Sequence, residues 1–453
     1  MMHRTWPIIT AIAFLLAAPV AAAETAIWHT RIDSRSLGPV ELYLEIEFEQ
    51  SGLRARSLSG SLPLLRELPG ERNIVSGLMA FEASPDSAGT HQGLVTAPWK
   101  DGEVALRFEG DRFEGTISDG IFGGSIAGNK VEHAATLRDY PAILEDFDTV
   151  VAARLFSPDD LQKEAYLRFR AELGRVADIA TDDLDLLFGF RWLWQNDPFS
   201  HFQLKRSAQS AAEMFAFFDS YRVGFEAATV EFTDDVAVLT VRTMMGADTI
   251  EQIDAAFERI AGEDPAALII DLRGNGGGAF AVKPLIEHVI DEPVDAGFFI
   301  SQVWGRSHRK APSAEEVLER TPWEGWSIIA FWQAVQETDI LRLRFNPKSP
   351  NYDGPVFVLL DARSASATEL AADALRSSGV TTLVGQRSAG EMLSQSMFDV
   401  RDGFMVSLPV ADYYSIAHGR IEGTGVPVDI EAEPDQALAV AKDLARNRSS
   451  RRN

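Results

Sequence analysis

Val40-Glu41-Leu42-Tyr43-Leu44-Glu45-Ile46-Glu47-Phe48 sets an apolar residue at every second position. That is the period of a strand with one buried face. Residues 104–108 and 112–117 alternate in the same way, and Gly and Asp punctuate the runs as hairpin turns do. Residues 24–140 therefore predict a β-rich accessory domain, an antiparallel sheet or half-barrel. The period then changes. Residues 141–155 and 157–179 carry apolar side chains at helical spacing. Ser157-Pro158-Asp159-Asp160 has the cap, first-position proline and acidic first turn of a helix start. Residues 141–222 thus read as a helical segment. From 223 to 440 strands and helices alternate: 236–241, 267–270 and 356–360 predict strands, and 249–261 a helix. This is the pattern of an α/β core with buried strands. Residues 303–350, rich in Trp, Pro and Arg, predict an insertion bordering the functional site, and 441–453 a polar tail.

The first 23 residues stand apart. Arg4 precedes an almost wholly apolar run from Ile8 to Val20, and Ala21-Ala22-Ala23 precedes Glu24. A short apolar core followed by small residues predicts a secretory signal, cleaved to leave a periplasmic or extracellular protein without stable membrane insertion. The 453-residue chain contains no cysteine. Disulfides, thiolate–metal sites and cysteine nucleophiles are therefore excluded. A formal net charge of −25 argues against nucleic acid and anionic membrane as partners. No His-Glu-x-x-His or acidic triplet marks a metal site, so no cofactor is expected. Oligomeric state is not legible.

Two segments about ninety residues apart carry the candidate chemistry. Asp271-Leu272-Arg273-Gly274-Asn275-Gly276-Gly277-Gly278 follows one apolar strand, and Ser364-Ala365-Ser366-Ala367-Thr368-Glu369 follows the other. Small residues let a helix begin after Ser366, which sets its hydroxyl at a positive helix terminus. The Ala367 N–H is a candidate oxyanion donor. Gly276, Gly277 or Gly278 can supply a second, because glycines permit close backbone approach.

The two segments together resemble the tail-specific, or C-terminal-processing, serine protease family. Leu383-Val384-Gly385-Gln386-Arg387-Ser388-Ala389-Gly390 and Glu422-Gly423-Thr424-Gly425-Val426-Pro427-Val428-Asp429-Ile430 extend the resemblance, which covers roughly residues 190 to 440. It implies an α/β core of the crotonase/ClpP-like kind, following the N-terminal β-rich domain and helical segment read above, and Ser366 as nucleophile. In the processing branch a lysine 25 residues after the nucleophile is the base; this chain has Glu391 there. Too few residues separate His201 from the first core strand to hold the family's peptide-binding PDZ module. The tricorn-core-like branch instead carries a histidine before the core and a glutamate after the nucleophile. Here these correspond to His201, in Ser200-His201-Phe202, and Glu422.

The reading that follows is an exported serine peptidase acting on peptide or protein substrates through an acyl-enzyme. Ser366, His201 and Glu422 are its catalytic residues, and Gly277 and Ala367 its oxyanion donors. Ser200 would assist the oxyanion or hold a water. Lys283, Lys310, His308 and His418 are substitute bases, and His288 is structural. The alternative is a catalytically inactive protein on the same fold, binding a hydrophobic ligand or peptide, as retinoid-binding members of the family do. A scaffolding role carried by the β-rich domain is a further rival.

Overall fold

The computed structural model describes residues 24–34, 38–58, 78–96, 101–118, 123–308 and 310–452. The expected secretory signal lies outside the described residues. The alternating N-terminal runs form eight strands, from Glu24–Ser34 to Gly123–Val131, that close in sequence order into a barrel. Closure goes further than the expected sheet or half-barrel, and it pairs both edges of the sheet. In Gly38–Glu49, Leu42, Leu44 and Ile46 are buried while Glu45 and Glu47 keep partial exposure. Aromatic side chains fill the interior: the Phe108 ring lies 5.5 Å from Trp28, 5.1 Å from Phe48 and 5.3 Å from Phe113.

The helical segment consists of Tyr140–Arg154, Glu164–Ile179 and Asp183–Leu193. The helix start expected at Ser157 is a 3-10 turn, Pro158–Gln162, in which the Ser157 side chain makes no cap bond. Lys163 is extended and interrupts the run, so the α-helix begins at Glu164. The three helices converge on an aromatic cluster of Phe147, Phe169, Phe190, Trp194, Phe199 and Phe202. Trp194 stands 4.8 Å from Phe169, 4.9 Å from Phe199 and 4.9 Å from Phe202, in tilted or edge-on contacts of the favourable kind.

The α/β core is a six-stranded sheet ordered Ala228–Thr233, Val236–Val241, Ala267–Asp271, Val356–Leu360, Thr381–Gly385 and Ile430–Glu431. Only the first pair is antiparallel. The two central strands are buried at every position, which is why their sequences read as unbroken apolar runs. Helix Ala247–Glu263 leads into the first of them, and helix Ala367–Ser377 leaves the second. The expected polar tail is the end of helix Ala437–Arg452. Its Ala437, Ala441 and Ala445, spaced four apart, pack on Ile269, Phe357 and Leu359 of the sheet.

A second sheet, ordered Ile340–Phe345, Val294–Ser301, Phe404–Ser415 and Leu393–Val400, was not anticipated as strands. Strand Gln203–Arg206 pairs with the start of Phe404–Ser415, setting Lys205 opposite Met405 and Leu204 opposite Val406. The region expected as an insertion supplies Ile340–Phe345 and helix Ile328–Glu337, whose Phe331 and Val335 join the main core.

Candidate active site

The Gly-rich loop and the serine turn leave neighbouring parallel strands, in register from Leu268 opposite Val356 to Asp271 opposite Leu359. Side chains stitch them together. The fully buried Asn275 donates its Nδ2 to the Val241 carbonyl at 2.9 Å, and its own carbonyl accepts from Ala365 N at 3.1 Å. Ser364 Oγ donates to the Leu272 carbonyl at 2.9 Å, and Gly274 N–H donates to Asp361 Oδ1 at 2.9 Å. Gly277 has φ +92°, and a Cβ there would sit 2.7 Å from Ser366 Cβ and 2.6 Å from the Ala365 carbonyl oxygen. Only glycine lets the loop approach the serine this closely.

Ser366 caps helix Ala367–Ser377 with φ 57° and ψ −123°, a sharp strand-to-helix turn that side-chain-bearing residues rarely adopt. Such a conformation costs about 1–3 kcal/mol and persists only where its surroundings hold it. Glu369 does so here. Its buried carboxylate accepts from Ser366 N at 3.0 Å, Ser388 Oγ at 2.6 Å, Gly390 N at 2.8 Å and Glu391 N at 2.9 Å. Burial pushes the Glu369 carboxyl above its ordinary range, and these four donors oppose the shift.

His201 reaches the same point from the aromatic cluster. Phe199 and Phe202 flank Ser200-His201 in sequence and are both buried, so the intervening turn is clamped, with His201 at φ 58°. His201 Nε2 lies 3.2 Å from Ser366 Oγ, and Nδ1 lies 2.7 Å from Ser200 Oγ. Ser200 Oγ donates to Glu422 Oε2 at 3.1 Å, and Ser200 N to Oε1 at 2.9 Å. Met392 N completes the carboxylate's set at 2.7 Å. The Ser200 hydroxyl thus stands between Glu422 and the imidazole.

The relay has one self-consistent direction with Glu422 ionised. A carboxylate only accepts, so the single Ser200 hydroxyl proton points to Glu422, and Ser200 Oγ accepts from His201 Nδ1–H. That leaves Nε2 unprotonated and facing the Ser366 hydroxyl. Burial lowers the His201 pKa to about 4, which keeps the ring neutral. Burial also raises the Glu422 carboxyl, against the bonds from Ser200 and Met392.

The other sequence candidates fall elsewhere. Glu391 accepts from Asn196 Nδ2 at 3.3 Å, and Lys283 pairs with Glu287. Lys310 and His308 line a separate surface recess, and His418 is exposed on a turn. His288 is buried against Phe257 and bonded to Asp254 at 2.9 Å, the structural role expected of it. Gly277 departs from its expected part: its N–H is turned to Asn275 Oδ1 at 2.9 Å. Among the described residues the N–H groups of Gly278 and Ala367 make no hydrogen bond, and both residues line the cavity that holds Ser366 and His201. No cluster able to hold a metal ion occurs among the described residues.

The sequence reading missed Glu369 as the hub of the serine turn, and it gave Ser200 a different part. Each had a local signal. Glu369 stands at the third helical position after Ser366, where a carboxylate reaches back to the cap N–H. Ser200 immediately precedes the histidine.

Comparison with known proteins bears on the core. Residues 235–432 match Peptidase family S41. This segment includes Gly278, Ser366, Glu369 and Glu422 but not Ser200 or His201. The chain is similar to carboxyl-terminal-processing peptidase 1, chloroplastic, of Arabidopsis thaliana: 32% identical over 111 residues, 24% of this chain and 22% of that one. It is 27% identical over 188 residues to the chloroplastic C-terminal processing peptidase of Tetradesmus obliquus, covering 42% of this chain and 33% of that one. A carboxyl-terminal-processing protease of Picosynechococcus is 36% identical over 92 residues, 20% of this chain and 22% of that one. The matches thus span between a fifth and a third of these relatives' lengths.

Proposed function

From a core whose residues 235–432 match Peptidase family S41, we propose that this protein is an exported serine peptidase that cleaves peptide or protein substrates through an acyl-enzyme on Ser366, with a crotonase-like core. His201 Nε2 takes the Ser366 proton as Oγ attacks the scissile carbonyl carbon. The resulting oxyanion is received by the N–H groups of Ala367 and Gly278, the latter replacing Gly277. The loss of one such donor costs about 3 kcal/mol of transition-state stabilisation in comparable sites. When the C–N bond breaks, His201 returns the proton to the leaving amine, and a water repeats the sequence to free Ser366. Glu422 acts on His201 through Ser200, which fixes the tautomer and stabilises the imidazolium that forms. Glu369 is a positioning residue for the Ser366 turn.

One observation carries this reading: a strained serine at a helix N-terminus lies 3.2 Å from a neutral histidine whose other nitrogen is bonded through Ser200 to a buried carboxylate. An inactive binding protein would have no use for that relay. The test is labelling of the purified protein by a fluorophosphonate probe. Wild type should label, Ser366→Ala and His201→Ala should not, and Ser200→Ala should label slowly. A well-folded wild type that fails to label would move the assignment to the binding reading.

A further inference from the structure

The cavity beside Ser366 holds about 260 Å³ and is walled largely by aromatic and thioether side chains, among them Phe280, Phe331, Trp332 and Met397. Among the described residues no acidic one lines it, and apart from His201 the only titratable one is Lys205. In a chain of net charge −25, a cation placed alone in a cavity is unexpected. On strand Gln203–Arg206, Leu204 and Arg206 are buried on one face, while Gln203 and Lys205 share the face that lines the cavity. Among the described residues the Lys205 ammonium hydrogen-bonds only Met397 Sδ, at 3.2 Å, and has no carboxylate partner. Partial burial without a counter-charge lowers its pKa. Gln395 and Ser396 also line this cavity.

We propose that this cavity is a specificity pocket for a substrate residue bearing a carboxylate, with Lys205 as its counter-ion and the apolar walls taking the adjoining side chain. The proposal rests on the peptidase reading for its substrate class. The carboxylate is either the substrate's C-terminal group or an Asp or Glu side chain, and the experiment separates the two.

Binding is measured in the Ser366→Ala protein, where turnover cannot interfere, by anisotropy of labelled peptides with leucine or phenylalanine beside the varied group. One pair carries a free C-terminus or its amide; a second carries internal Glu or Gln. One pair should show a preference for the acid of about ten- to a hundredfold, the range of a charge-assisted hydrogen bond. That pair identifies the source. Adding Lys205→Met should collapse the ratio towards one, and Lys205→Arg should keep most of it. An acid-to-neutral ratio near one in both pairs, or a ratio unchanged by Lys205→Met in a protein that melts normally, would overturn the proposal. Because Ser366 is absent throughout, failure of probe labelling in the wild type and failure of this pocket are separate results.

Discussion

The proposed nucleophile and its proposed base are held by different means. Ser366 is fixed by backbone: two parallel strands in register, a glycine without which the loop could not close, and a carboxylate accepting N–H groups from both the turn and the 388–391 loop. His201 is fixed by packing, since rings on three helices grip Phe199 and Phe202 on either side of it. Hydrogen bonds set directions; packed rings set a position only as long as the cluster stays whole. The two halves should therefore fail differently when perturbed.

Gly277→Ala tests the backbone-held side and should have the largest effect. Its Cβ would collide with the Ala365 carbonyl and Ser366 Cβ at a φ that disfavours side chains. The expected result is a loss of kcat/KM on the order of 10²-fold or more, as displaced reacting groups produce. Phe199→Ala tests the packed side. A loss of about 3–5 kcal/mol of stability is expected for a buried phenylalanine, read from denaturant unfolding, together with reduced activity. If Phe199→Ala left stability within about 0.5 kcal/mol of wild type, as a surface change does, the clamp would be refuted.

The smallest effect is the pH profile. The proposed base, His201, works only when neutral, and burial puts its pKa near 4 rather than the ordinary value of about 6.5. Activity should therefore hold as pH falls below that ordinary value and decline only as Glu422, whose carboxyl burial raises, and then His201 take up protons. A half-point at or above 6.5 in kcat/KM would show an imidazole that is not desolvated, and would weaken the case for a tightly clamped His201.

The same division decides how much could be read from the chain. The strands at Ala267–Asp271 and Val356–Leu360 and the turn at Ser366 were legible, because full burial writes unbroken apolar runs and close approach writes glycines. The barrel strands were legible from alternation, but closure depends on pairing between distant ends, which no local pattern records. His201 was a candidate through its place before the core, and it lies 3.2 Å from Ser366. The intervening Ser200 was missed in its true part because adjacent residues reveal nothing of which side chain turns back toward Glu422, 222 positions away. The helix Ala437–Arg452 was mistaken for a tail because its sheet-facing stripe is alanine, too small to stand out as an apolar face.

Ser366 and His201 share a further property: both have positive φ, in a chain where most such positions are glycine. Selection for heat resistance alone would reward Gly at either place, because the strain would vanish. Such variants would survive warming and express well, and they would be inert. In any engineering campaign on this protein, the hardiest clones are the first that should be checked for whether they still do chemistry.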